Sequence, residues 1–292
     1  MSFIDLTRAA SAGAALTPRS GRVRHCRRLA VRAFRTERRE FLAEGPQAVR
    51  EAMAHAGDPC PCLEVYATRY ATERHAELAA AADRADVVWT LVDDDVLAAL
   101  CDTVSPQGMV ARCRFIDIDL DAMLSPPPPL LALCADVRDP GNAGAVIRCA
   151  DAAGAGGVAL VGSSVDPYNP KAVRSSAGSV FHVALSLERD APRAIASASA
   201  AGLAVLAADA DADLDLEEAE ESGLLDQPAA WLFGNEAWGL PDDLRRRADR
   251  VINVPIHGRA ESLNLATAAA LCLYASARAQ RRTVGDRTSS QG

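Results

Sequence analysis

The sequence predicts an α/β protein of two domains, the second of which is built on a parallel sheet. Three observations lead to this class. The chain has 292 residues, which is more than one hydrophobic core usually holds. Short apolar segments alternate with segments of helical periodicity in both halves. Four consecutive prolines at 126–129 separate the halves, because proline fits neither a helix interior nor a central strand.

The first half reads as a smaller α/β domain that follows an arginine-rich start. A helix is expected over 41–56, since apolar residues recur there at helical intervals. The remaining elements are a strand at 63–68, a helix at 73–84, a strand at 87–92 and a helix at 93–106 that begins with acidic residues and ends at a proline.

The second half opens with a continuous apolar run at 130–137, which is typical of a strand buried on both faces of a parallel sheet. A helix at 145–155 and a strand at 157–162 complete one βαβ unit. Later strands are expected at 180–185, 203–209, 229–234 and 250–256, before a closing helix at 262–282. The predicted domain plan is a flexible 1–18, a smaller α/β domain at 19–118, a proline-rich linker at 119–129, a parallel α/β domain at 130–284 and a flexible tail at 285–292.

Charge is distributed unevenly along the chain. The net charge of −8 taken alone argues against a nucleic-acid partner. However, nine arginines and a single acid, Glu37, lie between Arg19 and Arg39, whereas nine acids and no base lie between Asp209 and Asp226. The basic segment has the charge expected of a surface that binds a phosphate backbone, with a merely solvated basic face as the alternative.

Several classes of function are disfavoured. No run of about 18 apolar residues and no basic, then apolar, leader is present, so a cytoplasmic protein without a membrane span is expected. The eight cysteines are scattered through apolar contexts, which favours reduced thiols. Dinucleotide, phosphate-loop and zinc-hydrolase motifs are missing, so neither a nicotinamide cofactor nor a metal is implied.

Three loops follow predicted strands and mix glycine with polar residues. They are DVRDPGNAGAVIR at 136–148, FGNEAWGLP at 233–241 and IHGRAESLNLA at 256–266. In parallel sheets, ligands bind at the carboxyl ends of the strands. Glycine permits close backbone approach, while Asn, Ser and Glu offer hydrogen bonds, so the loops together predict the wall of a polar pocket.

In this order the three loops resemble the three motifs of the SpoU/TrmH family of S-adenosylmethionine-dependent RNA ribose 2′-O-methyltransferases. The segment DPYNPKAVRSSAGSVFHV also resembles the family's stretch between the first two motifs. Upstream, RHCRRLAVRAFRTERREFLAEGPQAVREAM is similar to the ribosomal-protein-like substrate-binding domain that often precedes the catalytic domain. The resemblance implies a deep trefoil knot, a homodimer that completes each site, and S-adenosylmethionine as the donor.

Site residues carried over from the resemblance fall into three groups. The catalytic group is Asn142, Arg148, Glu236, Ser262 and Asn264. The donor-binding group is Phe233, Gly234, Asn235, Glu236, Ile256, Gly258, Ser262, Leu263 and Asn264. The RNA-binding group, which also uses the basic segment, is Arg22, Arg24, Arg27, Arg28, Arg32, Arg35, Lys171, Arg174 and Ser176.

Structural roles are open for several of these residues. Asn142 and Ser262 each stand where a helix cap is expected. Arg148 could serve only as a surface ion-pair partner, and Glu236 could cap a loop or pair with an arginine. His257 has a suitable position beside the third loop, although a lone His is more often a hydrogen-bonded loop residue. The predicted function is ribose 2′-O-methylation of structured RNA, with ribosomal RNA favoured. The alternatives are a tRNA ribose methyltransferase and a non-catalytic RNA-binding protein.

Overall fold

A computed structural model describes residues 16–56, 59–212 and 214–289. The chain divides into two compact units. Unit 1 comprises residues up to Ile116 together with Tyr168–His182, and unit 2 comprises Asp117–Pro167 together with the chain from Val183 onward. The flexible ends predicted from the sequence lie outside the described residues at 1–15 and 290–292. Residues 285–289 of the predicted tail continue the last helix.

Unit 1 is built on a four-stranded mixed sheet with the order β1-β4-β2-β3. Strand β4 is antiparallel to both β1 and β2, while β3 runs parallel to β2. Its elements are α1 (Gly21–Arg28), α2 (Arg32–Arg38), β1 (Glu40–Glu44), α3 (Pro46–Ala54), β2 (Cys62–Ala67), α4 (Arg69–Arg74), α5 (Ala76–Arg84), β3 (Val88–Leu91), α6 (Asp94–Leu100) and β4 (Met109–Arg114).

The prediction of one helix over 41–56 is wrong in its first part. Residues Glu40–Glu44 form strand β1, and the helix begins only at Pro46. The sequence analysis missed strand β4, which pairs with every residue of β1. This pairing overrides the local helical periodicity because Phe41, Leu42 and Ala43 are all buried.

The segment Tyr168–His182, which was predicted as part of the catalytic domain, packs within unit 1. It contains α9 (Pro170–Ser175) and a 3₁₀ turn at Ser179–Phe181, so the strand predicted at 180–185 starts later, at Ala184. Aromatic packing holds the segment: the Tyr168 ring stacks on Phe115 at 3.9 Å and lies 4.7 Å from Phe41, measured between centroids.

Unit 2 is built on a seven-stranded sheet with the order β7-β6-β5-β10-β8-β11-β9, in which the neighbouring strands are parallel. The mixed α/β class and the parallel sheet predicted from the sequence are confirmed. The strands are β5 (Leu130–Ala135), β6 (Gly157–Val161), β7 (Ala184–Glu188), β8 (Ala204–Ala208), β9 (Leu214–Asp215), β10 (Ala229–Phe233) and β11 (Arg250–Asn253).

The helices of unit 2 cover the sheet. They are α7 (Leu120–Met123), α8 (Pro140–Ala153), α10 (Ala191–Ala200), α11 (Leu216–Glu221), α12 (Asp242–Arg245) and α13 (Leu265–Ser289). The stretch predicted as a linker at 119–129 contains α7, and Leu120, Met123 and Leu124 are buried in the unit 2 core. Their apolar side chains therefore tie this stretch to the sheet, which differs from an extended spacer.

Two contacts fix helix α13 in unit 2. The indole Nε1 of Trp231 on β10 donates to Ser276 Oγ at 2.9 Å, with both side chains buried. Arg281 of α13 donates from Nη2 to the carbonyl of Ala153 at the end of α8, at 3.1 Å. These contacts hold the later part of α13 against β10 and the end of α8.

Candidate active site

The three predicted loops follow β5, β10 and β11 of unit 2, at the carboxyl ends of parallel strands. The first loop leads directly into α8. Asp139 is the N-cap of this helix, because its Oδ1 accepts from the Asn142 backbone N–H at 2.9 Å, and Pro140 occupies the first helical turn. The interpretation of Asn142 as the cap is therefore wrong, and its side chain is available for another role.

A chain of side-chain hydrogen bonds joins the three loops. Asn142 Nδ2 donates to Glu236 Oε1 at 3.1 Å, and Asn264 Nδ2 donates to Asn142 Oδ1 at 3.0 Å. Residues that lie 94 and 122 positions apart in sequence thus meet at one amide. We call Glu236, Asn142 and Asn264 the motif relay.

Glu236 is also bound to the first loop through the backbone. Its carboxylate accepts from the N–H groups of Arg138 and Asp139, each at 3.3 Å. With the Asn142 amide, three donors hold this exposed carboxylate, and none of them is an arginine side chain. The ion-pair interpretation of Glu236 is therefore replaced by a role in joining loops.

The second loop is a tight turn closed on itself. Asn235 and Gly239 exchange two backbone hydrogen bonds of 2.9 Å. A Cβ added to Gly234 would lie 2.4 Å from the backbone carbonyl carbon of Gly239, so only glycine fits there. Asn235, predicted as a donor-binding residue, is mostly buried and donates from Nδ2 to the Asp136 carbonyl at 2.7 Å.

Asp136 is a residue that the sequence analysis did not single out. Its φ of 53° is unusual for a non-glycine residue, and it lies just past the end of β5. Its Oδ1 accepts from the Ser163 N–H at 2.7 Å, so Asp136 joins the loops after β5, β6 and β10. The available signal was a single acidic residue within the otherwise apolar run at 130–137.

The third loop runs from the end of β11 at Asn253 to the start of α13 at Leu265. Asn264 caps α13, because its Oδ1 accepts from the N–H groups of Ala266 at 2.9 Å and Thr267 at 3.4 Å. Ser262 is exposed and lies before this cap, so its interpretation as the helix cap is wrong. Asn264 therefore both starts the helix and takes part in the motif relay.

Arg148 lies on α8 with an exposed side chain. Among the residues that the structure describes, its guanidinium makes neither an ion pair nor a hydrogen bond. The neighbouring Cys149 packs toward α13, with Sγ 3.9 Å from the Ala266 carbonyl. Burial raises the pKa of the Cys149 thiol above its ordinary value, so this thiol is neutral at physiological pH.

The polar rim of the site lies against buried strand residues. Cys134, on β5, is fully buried, and burial together with the charge of Glu236 raises the pKa of its thiol to about 12. A cavity of about 600 Å³ opens nearby at the same strand ends, lined among others by Asp136, Ser163, Arg189 and Leu244. None of its lining residues comes from the third loop.

The predicted donor-binding residues Ile256, Gly258 and Leu263 lie in that third loop, with Ile256 and Gly258 exposed and Leu263 half-buried. His257 is exposed beside them. Phe233 is the last residue of β10 and is buried, stacked on Trp231 at 6.2 Å between centroids. Phe233 therefore packs in the interior of unit 2, directly before the turn.

The predicted RNA-binding residues of unit 1 differ in exposure, and two of them are buried. Arg35 is 1% exposed, and its Nη1 donates to the carbonyls of Leu29 and Ala30 at 2.7 and 2.8 Å, so it closes the end of α1. Ser176 is fully buried and donates to the Val173 carbonyl at 2.8 Å. Neither side chain is placed to contact RNA, and both assignments are corrected.

Other predicted contacts have intramolecular partners. Arg22 forms an ion pair with the buried Glu64, and Arg28 lies over the Phe34 ring at 4.0 Å. The Lys171 side chain is exposed. Arg174 pairs with Glu44 at 3.4 Å and with Asp102 at 3.1 Å, both in unit 1.

Three of the predicted contacts, Arg24, Arg27 and Arg32, are exposed and form no ion pair within the described part of the chain. Across 16–56, 59–212 and 214–289, the structure contains no group of three or more His, Cys, Asp or Glu residues suited to a metal ion. Over the same ranges, no helix is long and apolar enough to cross a membrane.

Comparison with known proteins gives two family matches. The sequence pattern of the SpoU rRNA Methylase family covers residues 129–274, and that of the MRM3-like substrate binding domain covers residues 21–111. The 23S rRNA (guanosine(2553)-2'-O)-methyltransferase RlmP of Bacillus subtilis is 30% identical over 87% of this chain and 94% of its own length. The 23S rRNA (uridine(2479)-2'-O)-methyltransferase of Streptomyces viridochromogenes is 30% identical over 90% of both chains.

Solved structures agree with these matches. The AdoMet-bound rRNA methyltransferase from Sinorhizobium meliloti superposes with a TM-score of 0.77 and 29% identity, over 91% of this chain and 97% of the other. The SpoU methyltransferase AviRb from Streptomyces viridochromogenes, in complex with the cofactor AdoMet, gives a TM-score of 0.77 and 29% identity over 90% and 100%. Both similarities extend across the two units.

Proposed function

The chain belongs to the SpoU rRNA methylase family, and on that premise we propose that it transfers a methyl group from S-adenosylmethionine to a ribose 2′-hydroxyl of ribosomal RNA. One observation carries the proposal for the site. The motif relay brings Glu236, Asn142 and Asn264 within hydrogen-bonding distance, at 3.1 and 3.0 Å. Side chains from all three sequence motifs thus form one polar surface at the carboxyl ends of parallel strands, where α/β proteins bind ligands.

The third loop suits a nucleoside-like donor. Its backbone lies between the ladder of β11 and helix α13, so N–H and C=O groups there are available to a ligand. A Cβ added at Gly258 would meet no atom within 4 Å, so the space beside the exposed apolar side chain of Ile256 is open to a ligand. We assign Ile256, Gly258 and Leu263 to holding the donor, opposite the rigid turn at Gly234.

S-adenosylmethionine, when bound, supplies an electrophilic methyl group. The task left to the protein is to hold the 2′-hydroxyl in line and to stabilise the charge that develops on its oxygen. Arg148 is suited to both because its guanidinium is exposed and presents several N–H donors in a planar fork. We assign Arg148 to a bidentate contact with the phosphate of the target nucleotide, which orients the ribose.

The motif relay has a positioning role in this scheme. Glu236 fixes the loop that starts α8, and Asn264 fixes the start of α13. Arg148 lies about one and a half turns along α8 from Asn142, so the orientation of the helix sets the direction of its guanidinium. Ser262, which is exposed next to the relay, is assigned to a hydrogen bond with the target nucleotide.

Unit 1 would recruit the RNA, in keeping with its match to a substrate binding domain. We assign the phosphate contacts there to Arg24, Arg27 and Arg32, which are exposed. Changing all three to Gln should weaken RNA affinity and lower the slope of log K against log salt by about 2–3, since each lost phosphate contact removes somewhat less than one. Arg84→Gln, at another exposed arginine of unit 1, is the control.

A homodimer and a cytoplasmic location complete the proposal. In the resemblance noted from the sequence, a second subunit completes each site, and the deep knot accompanies it. The homodimer and the knot both remain predictions for this chain. Sedimentation with and without donor tests the first: a dimer at micromolar protein concentration is expected, and a monomer at all concentrations would contradict it.

The function is tested with methyl-labelled donor and two RNA preparations, ribosomal RNA and total tRNA, followed by mapping of the label. Label on ribose 2′-oxygens of ribosomal RNA is expected. Label only on tRNA would favour the tRNA alternative, and label on a base would refute the acceptor. Calorimetry with the donor addresses the non-catalytic alternative, because such a protein need show no saturable donor site.

A further inference from the structure

Unit 1 has a groove that the proposed function does not use. It encloses about 800 Å³, a size typical of ligand-binding clefts, and six of its lining residues are Pro46, Thr68, Tyr70, Asp94, Leu97 and Gln107. We call it the Tyr70 groove. It lies where β1 and β2 end and β4 begins, so it occupies the same edge of the unit 1 sheet at which α/β folds bind ligands.

The walls of the groove are held rigidly by backbone hydrogen bonds. The Thr68 N–H donates to the Gly108 carbonyl at 2.9 Å, and the Gly45 N–H donates to the Met109 carbonyl at 3.0 Å. Thr68 Oγ1 also accepts from the Ala71 N–H at 3.2 Å, which caps α4. The three loops around the groove therefore form one frame.

Two glycines shape this frame. Gly45 and Gly108 both have left-handed backbone conformations, with φ of 92° and 88°. A Cβ at Gly108 would lie 2.6 Å from Ala71 Cβ, and one at Gly45 would lie 2.5 Å from Gln107 Oε1. The loops can approach this closely only because side chains are missing there.

Tyr70 gives the groove an exposed aromatic face. Its side chain is 69% exposed although it is a large ring on a folded unit, and the Arg74 guanidinium donates to its hydroxyl at 3.4 Å. Arg69, next to it, is exposed and has no ion-pair partner among the described residues. An aromatic ring flanked by guanidiniums is the combination that stacks a base and binds its phosphate.

The groove also offers polar groups to the edge of a base. Asp94 is exposed at the start of α6, where its carboxylate can accept from ring N–H and amino groups. The side-chain amide of Gln107 can both donate and accept. Leu97 and Pro46 supply the apolar surface on which a planar ring can rest.

We propose that the Tyr70 groove binds one unpaired nucleobase of the RNA substrate, stacked on Tyr70, with the adjoining phosphates on Arg69 and Arg74. The proposal rests on the proposed function in that it takes unit 1 to bind RNA. It adds a specificity element: unit 1 recognises a nucleotide that is extruded from the RNA helix, besides the phosphate contacts of Arg24, Arg27 and Arg32. Bases that present N–H groups to Asp94 should be preferred.

The test uses the full-length protein and ribosomal RNA as the probe. Tyr70→Ala should weaken binding roughly 5- to 150-fold, as expected for loss of one base–aromatic stack. Tyr70→Phe should bind within about twofold of wild type, because the ring is retained. Val88→Ala, at a residue of unit 1 that is 51% exposed, is the matched control and should leave affinity unchanged.

A second variant and a direct readout keep the proposal falsifiable if Tyr70→Ala misfolds. Ala98→Trp places a large side chain in the groove from an exposed position of α6 and should also weaken binding. Ultraviolet cross-linking of wild type to ribosomal RNA should give a nucleotide adduct on the peptide that carries Tyr70. Wild-type affinity of Ala98→Trp, with adducts only at the arginines of α1 and α2, would overturn the proposal and leave the groove to a peptide ligand.

The outcomes separate this inference from the proposed function. If wild type methylates ribosomal RNA and the groove variants bind normally, the groove assignment fails and the enzymatic function stands. If wild type transfers no methyl group while Tyr70→Ala loses RNA affinity, the groove assignment stands and the function fails.

Discussion

The substitution Asn142→Ala tests the motif relay most sharply. It removes two hydrogen bonds, the 3.1 Å bond to Glu236 and the 3.0 Å bond from Asn264. Each contributes about 0.5–1.5 kcal/mol in general, and the partial exposure of the site places their sum near ~1–2 kcal/mol. The melting temperature should therefore fall by about 2–8 °C, since ~1 kcal/mol shifts it by about 2–4 °C in a domain of this size.

The variant should remain folded because both partners keep other bonds. Glu236 retains the backbone donors of Arg138 and Asp139, and Asn264 retains its capping role at the start of α13. Methyl transfer should fall much further than stability, by about 10- to 100-fold in the single-turnover rate constant, because a shift of ~1 Å in the positioning of a reacting group can cost about 100-fold. Single-turnover assays at saturating donor, together with thermal denaturation, measure the two effects.

Gln280→Ala provides the matched control. The Gln280 amide also makes two hydrogen bonds, from Nε2 to the carbonyls of Pro129 at 3.0 Å and Gln227 at 2.8 Å. These carbonyls precede β5 and β10, at the amino ends of the strands, away from the candidate site. Comparable loss of stability with wild-type activity is expected. If Asn142→Ala also retains activity within about threefold, the relay does not align the catalytic groups and the reasoning is refuted.

Three further predictions follow from the structure. Gly234→Ala should destabilise the free protein and abolish donor binding in calorimetry, because the added Cβ would lie 2.4 Å from a backbone atom. Gly258→Ala should have the melting temperature of wild type, because its Cβ would meet no atom within 4 Å. Equal melting temperatures of the two variants would contradict this geometry. The hydrogen bond from Arg278 lowers the pKa of Glu220 below 4.5, so its stabilisation is present above that pH and is lost as the pH falls through the lowered value. Melting temperatures of wild type and Glu220→Gln should therefore converge on acidification, and a constant difference down to pH 3 would contradict this. Burial raises the pKa of Cys134 to about 12, so iodoacetamide at pH 8 should label this thiol only after denaturation, and rapid labelling of the folded protein would show that the interior is open.

The central strands of unit 2 could be predicted from the sequence because their local pattern and their tertiary setting agree. The run at 130–135 is apolar throughout, and all six residues of Leu130–Ala135 are buried. In β1 the local sequence pattern and the tertiary setting disagree. The residues of Glu40–Glu44 fit a helical period, yet pairing with a distant strand decides their conformation. No local pattern reports a partner about 70 residues away.

The candidate site shows the same division. The three loops and most of their residues could be named from the sequence, but their roles within the site could not. Asp139, followed by Pro140, carries the usual signal of a helix start and leaves Asn142 for the relay. Arg35 stands among exposed arginines and differs from them only because two carbonyls at the end of α1 face it. Such distinctions depend on packing directions, which composition does not contain.

The most direct test of the account is a crystal structure of the protein with S-adenosylhomocysteine, the demethylated form of the donor. The adenosyl group is expected between the turn at Gly234 and the loop that contains Ile256 and Gly258, with its sulfur facing the side of α8 that bears Arg148. Binding instead in the cavity lined by Asp136, Arg189 and Leu244, with the third loop unengaged, would contradict the assignment of the site.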